Sequence, residues 1–190
     1  MTEASLRLNL GCGRNPKAGW VNVDRMAEAA ADVTVDLESD TWPWADSSVD
    51  EVMLCHVLEH LGQTTDSFFH VIRELYRVAK PGAKITIITP HPRSDDYMND
   101  PTHVRPITPA ILRLFDKTIN RQWEAEGHAN SPLGLYLDVD FKIEELSFLP
   151  EEPWLTRYNA GEINRDGLAE AERSFANVIK EVTVVWEAVK

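Results

Sequence analysis

Three observations predict an α/β domain built on a doubly wound, mostly parallel sheet. Short apolar strands alternate with crossovers over the first 90 residues. Glycines and polar residues collect at the carboxyl ends of those strands, where such sheets bind ligands. Residues 83–89, AKITIIT, form a nearly continuous β-branched run of the kind expected for a strand buried on both faces of a parallel sheet.

Leu6, Leu8 and Leu10 alternate with Arg7 and Asn9 until Gly11-Cys12-Gly13 breaks the pattern, which places a first strand over residues 6–10, ending in a glycine turn. Residues 21–24, VNVD, form a second strand ending on a carboxylate. An alanine-rich helix is expected over residues 26–31, a third strand over 33–37 that again ends near an acid, and a fourth over 49–54. Phe68, Val71, Ile72, Leu75, Val78 and Ala79 recur at helical spacing, and Pro81-Gly82 stops them, so the spacing predicts a helix over 65–79. Residues 91–109 carry no apolar period and read as a long loop, the candidate lid. A helix is expected over 109–119, late strands over 141–149 and 181–189, and between them a polar insert with a helix over 168–179. No internal repeat or low-complexity tract is present.

The chain has 190 residues, 43% of them apolar, long enough for one substantial core. Nineteen Lys and Arg against 31 Asp and Glu give a net charge of −12, which argues against bulk nucleic acid and anionic membranes as partners. Two cysteines are too few for a disulfide framework, no signal peptide is legible and no apolar run suits a membrane span. A reducing cytoplasm is the expected compartment. Composition is silent on oligomeric state.

Asn9-Leu10-Gly11-Cys12-Gly13 lets the backbone approach a ligand closely, although one G-x-G is equally a plain strand-ending turn. Asp24 at the next strand end is placed to accept hydrogen bonds from a ribose diol, and Asp36-Leu37 pairs an acceptor with an apolar surface, as an adenine needs. A dinucleotide fingerprint fails, because Pro16 occupies its third glycine position and Asp24 comes too soon after the turn.

Taken in order, LRLNLGCG, VNVD, VDLE, SSVDEVMLCHVLEHL and RVAKPGAKITIITP resemble the class I S-adenosylmethionine-dependent methyltransferases over about residues 6–90. The resemblance implies a Rossmann-like fold with a late antiparallel hairpin and S-adenosylmethionine as cofactor. It places Gly11, Cys12 and Gly13 against the methionine part, Asp24 at the ribose, Asp36 and Leu37 at the adenine, and His56 and Val57 along the cofactor's border. One domain over 1–190 is expected, with a cofactor core over 6–90 and substrate covers over 91–135 and 151–177. The expected activity is methyl transfer to a small-molecule acceptor. A SAM-binding regulatory module without turnover, or a nucleotide-binding enzyme of other chemistry, are the alternatives.

Two departures stand out. Asn9 occupies a position where many members carry an acid, and only seven residues, 14–20, separate Gly13 from the second strand. No acceptor motif follows Pro90. In that region His91 and His103 are candidate general bases, with Asp95 and Asp96 beside them. Their spacing matches no helix-borne ligand motif, so no metal is expected. Glu59 and His60 read as a surface or helix-capping pair, Trp42 and Trp44 as an adenine wall or plain packing, and Cys12 and Cys55 as small buried thiols near each other or, less simply, a redox pair.

Overall fold

The computed structural model describes residues 5–26, 28–39 and 41–190. Seven strands form one sheet: β1 (Arg7–Leu10), β2 (Val21–Asp24), β3 (Val33–Thr34), β4 (Val49–Cys55), β5 (Ala79–Pro90), β6 (Phe141–Pro150) and β7 (Ile179–Ala188). Their order is β3-β2-β1-β4-β5-β7-β6. The first five strands run parallel, and β7 is antiparallel to both β5 and β6. This is the predicted α/β architecture, with the late strand pair inserted so that β7 lies inside and β6 at the edge.

Seven helices accompany these strands among the described residues: α1 (Thr65–Val78), α2 (Asp95–Met98), α3 (Pro109–Leu112), α4 (Lys117–Glu126), α5 (Leu133–Leu137), α6 (Trp154–Asn159) and α7 (Arg165–Ser174). The Thr64 side chain accepts the Ser67 amide at the start of α1, whose Phe68, Val71, Ile72, Leu75 and Val78 are buried on the sheet. They meet Leu8, Leu10, Val52, Leu54, Ile85 and Ile87, all at most 1% exposed. Farther along this core Phe141 stacks on Trp186 with ring centroids 4.5 Å apart. None of the helices is long and apolar enough to cross a membrane.

Several expectations are corrected. The helix expected over 26–31 does not form among the described residues, because the Ala30 amide donates to Gly13 O rather than back along a helix; residue 27 lies outside them. The third strand stops at Thr34, since Asp36 turns the chain by accepting from the Glu38 amide and the Ser39 hydroxyl. The helix expected over 109–119 is split by Asp116, which caps α4 by accepting from the Thr118 and Ile119 amides. The helix expected over 168–179 starts earlier, capped by Asn164, and ends at Ser174, because Ile179 already pairs with Pro150 in the sheet.

The run AKITIIT is buried on one face only: Ile85 and Ile87 point into the core, whereas Lys84, Thr86 and Ile88 are half-buried. Right-handed crossovers from β1 to β2 and from β2 to β3 belong on the face opposite α1, and among the described residues neither contains a helix to cover it. That face is accordingly polar. The register lines up Arg7, Glu51, Lys84, Glu187 and Lys142 on successive strands, a row of alternating charge.

The crossover from β1 to β2 is held by a polar knot at Asn22, which is 6% exposed. Its Oδ1 accepts from the Lys17 amide at 2.7 Å and from Asn9 Nδ2 at 2.9 Å, and its Nδ2 donates to Asp32 and to the Lys17 and Trp20 carbonyls. Asn9 thus faces the crossover. Replacing Asn22 by alanine leaves several buried donors and acceptors unpaired, so Asn22→Ala is expected to cost about 2–4 kcal/mol, read as a lowered urea midpoint with unchanged slope.

Candidate functional site

The carboxyl ends of β1, β2 and β4 and the turn after β3 converge on one cleft of about 190 Å³. Gly11, Asp24, Asp36, Leu37, His56 and Val57 line it. Six of the eight residues expected at the cofactor are therefore gathered there. Cys12 is buried behind it with its thiol pKa raised, chiefly by burial. Gly13 donates its amide to Asp24 Oδ2 at 2.8 Å. Arg25, Val35, His60 and Leu61 complete the lining, and no sequence pattern singled out these four as site residues.

Gly11 has two reasons to be glycine. Its φ is +65°, and a Cβ would sit 2.4 Å from Val57 Cγ2. The turn after β1 thus packs directly on the turn after β4, and the cleft opens beside that contact. Asp24 accepts from the Gly13 and Met26 amides, which fixes its carboxylate at the strand end while leaving lone pairs on both oxygens. The Glu38 amide and then the Ser39 hydroxyl hold Asp36 below the usual carboxylate range. Trp42 donates its indole N–H to Leu37 O at 3.3 Å and is 2% exposed. It supports Leu37 from behind, so Trp42 packs beneath the cleft and neither Trp42 nor Trp44 lines it.

After β4, His56 has φ +55° and leads into a 3₁₀ turn, Leu58–His60. Its imidazole pKa is raised, foremost by the Glu59 carboxylate and also by Glu181, whose oxygen lies 3.0 Å from Nε2. Glu59, expected on the surface, is 0% exposed. The reason is the loop after β5, which folds over it: the Val104 and Arg105 amides donate to Glu59 O, and Arg105 donates to Gly62 O. That loop is tied to the cleft wall.

The four candidate catalytic residues separate. His103 is drawn to the cleft wall, where its ring makes an edge contact with His60 at 4.6 Å and stacks on Tyr97 at 5.1 Å. His91 lines a different cavity, between α3, β6 and α7, with its pKa lowered chiefly by burial. Asp95 and Asp96 are exposed in the first turn of α2, where Asp96 lies 3.5 Å from Lys180. Neither lines the cleft. Cys12 and Cys55 lie at the ends of neighbouring strands as free thiols, but Cys55 is exposed rather than buried.

Residues 8–87 match the family described as "Methyltransferase domain". Comparison with curated proteins by sequence gives no match. Among solved structures, a SAM-dependent methyltransferase from Archaeoglobus fulgidus is similar with a TM-score of 0.62 and 18% identity, over 97% of this chain and 86% of that one. A SAM-dependent methyltransferase from Methanosarcina mazei gives 0.57 and 15%, over 100% of this chain and 94% of that one. At such identities the likeness is one of fold.

The Gly11 contact is open to test without any ligand. Gly11→Ala is expected to cost about 2–4 kcal/mol, from left-handed strain and overlap with Val57. Adding Val57→Ala removes only the overlap, so the double variant should be more stable than the two single losses added, by about 1 kcal/mol, read in denaturant melts.

Proposed function

We propose that the chain is a class I S-adenosylmethionine-dependent methyltransferase that transfers the methyl group of S-adenosylmethionine to a small-molecule acceptor, a reading supported by the match of residues 8–87 to a methyltransferase-domain family and by the fold. The observation that carries the site assignment is the single cleft into which Gly11, Asp24, Asp36 and Leu37 all open. Its chemistry fits the cofactor. Gly11 brings the turn after β1 to the cleft, Asp24 offers acceptor oxygens to a ribose diol, and Asp36 with Leu37 offers an acceptor and an apolar surface to an adenine. His56 and Val57 form the wall between β1 and the loop that follows β5.

When bound, S-adenosylmethionine supplies a methyl carbon on a cationic sulfur: a lone pair of the acceptor forms the new bond to carbon as the C–S bond breaks, and its electron pair stays on sulfur. Because that methyl group is already activated, the task of the protein is to align donor and acceptor and to exclude water. Val57, Leu61 and Leu37 supply apolar walls to the cleft, and the loop after β5 is anchored on Glu59 next to that wall. The net charge of −12 disfavours a polyanionic acceptor.

Calorimetry should show binding of S-adenosylhomocysteine and no comparable binding of NAD; the reverse preference would overturn the assignment. Asp24→Ala should weaken S-adenosylhomocysteine binding by about 1.5–3 kcal/mol, the scale of hydrogen bonds to a charged group. Unchanged affinity in a folded variant would remove Asp24 from the site. Incubating the protein with methyl-labelled cofactor and cell extract, then tracing the labelled product, tests transfer and distinguishes turnover from binding alone.

A further inference from the structure

We propose that Glu59, His60 and His103 bind a divalent first-row transition-metal cation at the rim of the cofactor cleft. One donor atom from each of the three lies within 4.8 Å of the other two. Bonds of about 2.0–2.2 Å to such an ion set its donors roughly 3–4 Å apart, so a small side-chain adjustment closes the three around a cation. Proximity of acids and histidines is common by itself. Two independent features give this cluster the character of a site.

The first is a buried carboxylate without a hydrogen-bond partner. Glu59 is 0% exposed, and neither of its side-chain oxygens has a hydrogen-bond partner. Such a group is costly unless a charge faces it. His56 Nδ1 approaches one oxygen at 3.5 Å, longer than a charge-assisted hydrogen bond, while its Nε2 is engaged by Glu181 at 3.0 Å. The other Glu59 oxygen has no such neighbour among the described residues.

The second is the state of the two imidazoles. His103 Nδ1 lies 2.8 Å from Tyr97 O, a carbonyl that can only accept, so the ring proton is on Nδ1. His60 Nδ1 lies 3.0 Å from Thr102 Oγ1, and the Thr102 hydroxyl already donates its hydrogen to Asp100 at 2.6 Å, so Oγ1 accepts here and the proton is again on Nδ1. In the neutral form of each ring that tautomer puts the lone pair a metal takes on Nε2. A backbone carbonyl or a carboxylate-linked group on the opposite nitrogen is the arrangement that orients metal-bound histidines. The segment bearing His103 is fixed against Glu59 by the Val104 and Arg105 amides, so the three donors come together without a ligand.

Two imidazole nitrogens and one carboxylate suit Mn²⁺, Fe²⁺, Co²⁺ or Zn²⁺ better than Mg²⁺ or Ca²⁺, which favour oxygen-only sets. Three protein donors leave coordination positions open. His60 also lines the cofactor cleft, which puts the cation where an oxygen of the methyl acceptor can reach it. That use rests on the methyl-transfer reading; cation binding does not.

The test is titration of the full chain with Co²⁺ alone, followed by its visible ligand-field absorption and by competition with Zn²⁺. One equivalent should bind and raise the melting temperature. Glu59→Gln and His103→Ala should each weaken binding at least tenfold, whereas His128→Ala, at an exposed histidine paired with Glu126, should leave it unchanged. Absence of saturable Co²⁺ binding by the wild-type chain overturns the proposal, as does equal affinity in the folded His103→Ala variant if Glu59→Gln fails to fold. S-adenosylhomocysteine calorimetry on the same samples separates the two readings. Homocysteine-nucleoside binding without cation binding overturns the metal site alone, and cation binding without it upholds the site while overturning the methyl-transfer assignment.

Discussion

Seven residues carry the chain from Gly13 back to the start of β2, and this shortness constrains everything around the cleft. A crossover of that length holds no packed helix, so its backbone groups need partners from elsewhere. Asn22 and Asn9 provide them from the strands themselves. The same economy leaves the sheet open on the side opposite α1, where a ladder of alternating charges takes the place of packed apolar side chains. The strand ends are nonetheless held in register, and it is the strand ends that make the site.

On the covered side, stability comes from conventional burial. α1 lays five apolar residues on β1, β4 and β5, and Phe141, Phe115 and Trp186 extend the core beneath the late strands. Arg77 on α1 ties down the connection from β3 to β4 by donating to Glu74, Asp46 and the Trp42 and Trp44 carbonyls. Because Trp42 in turn holds Leu37 O, this network positions one wall of the cleft from below. The opposite wall is positioned by Glu59, whose carbonyl anchors the loop after β5. Core and site are thus joined through a few polar contacts.

The loop over 91–108 illustrates how chemistry was redistributed by folding. Along the sequence His91, Asp95, Asp96 and His103 form a polar group of similar character. In space the first faces a separate cavity, the acids face solvent, and only the last meets residues of the cleft. Its neighbours Glu59 and His60 come from another loop more than forty residues earlier, so no local spacing signals the cluster.

By itself the sequence determined the sheet, α1, the glycine turn and the acids at the strand ends, because alternation, helical periodicity and glycine act over a few residues. Six of the residues it nominated for the cofactor share one cleft for the same reason: each is tied to a strand end, and parallel strands bring their ends together. Only the tertiary structure decided which face of β5 is covered, that Asp116 divides a continuous helical pattern, and that Glu59 is buried while Asp95 and Asp96 are not. Those outcomes depend on which distant segment packs against a residue, such as the backbone of Val104 and Arg105 over Glu59, and that choice is made by the whole chain's burial and hydrogen bonding rather than by any local pattern.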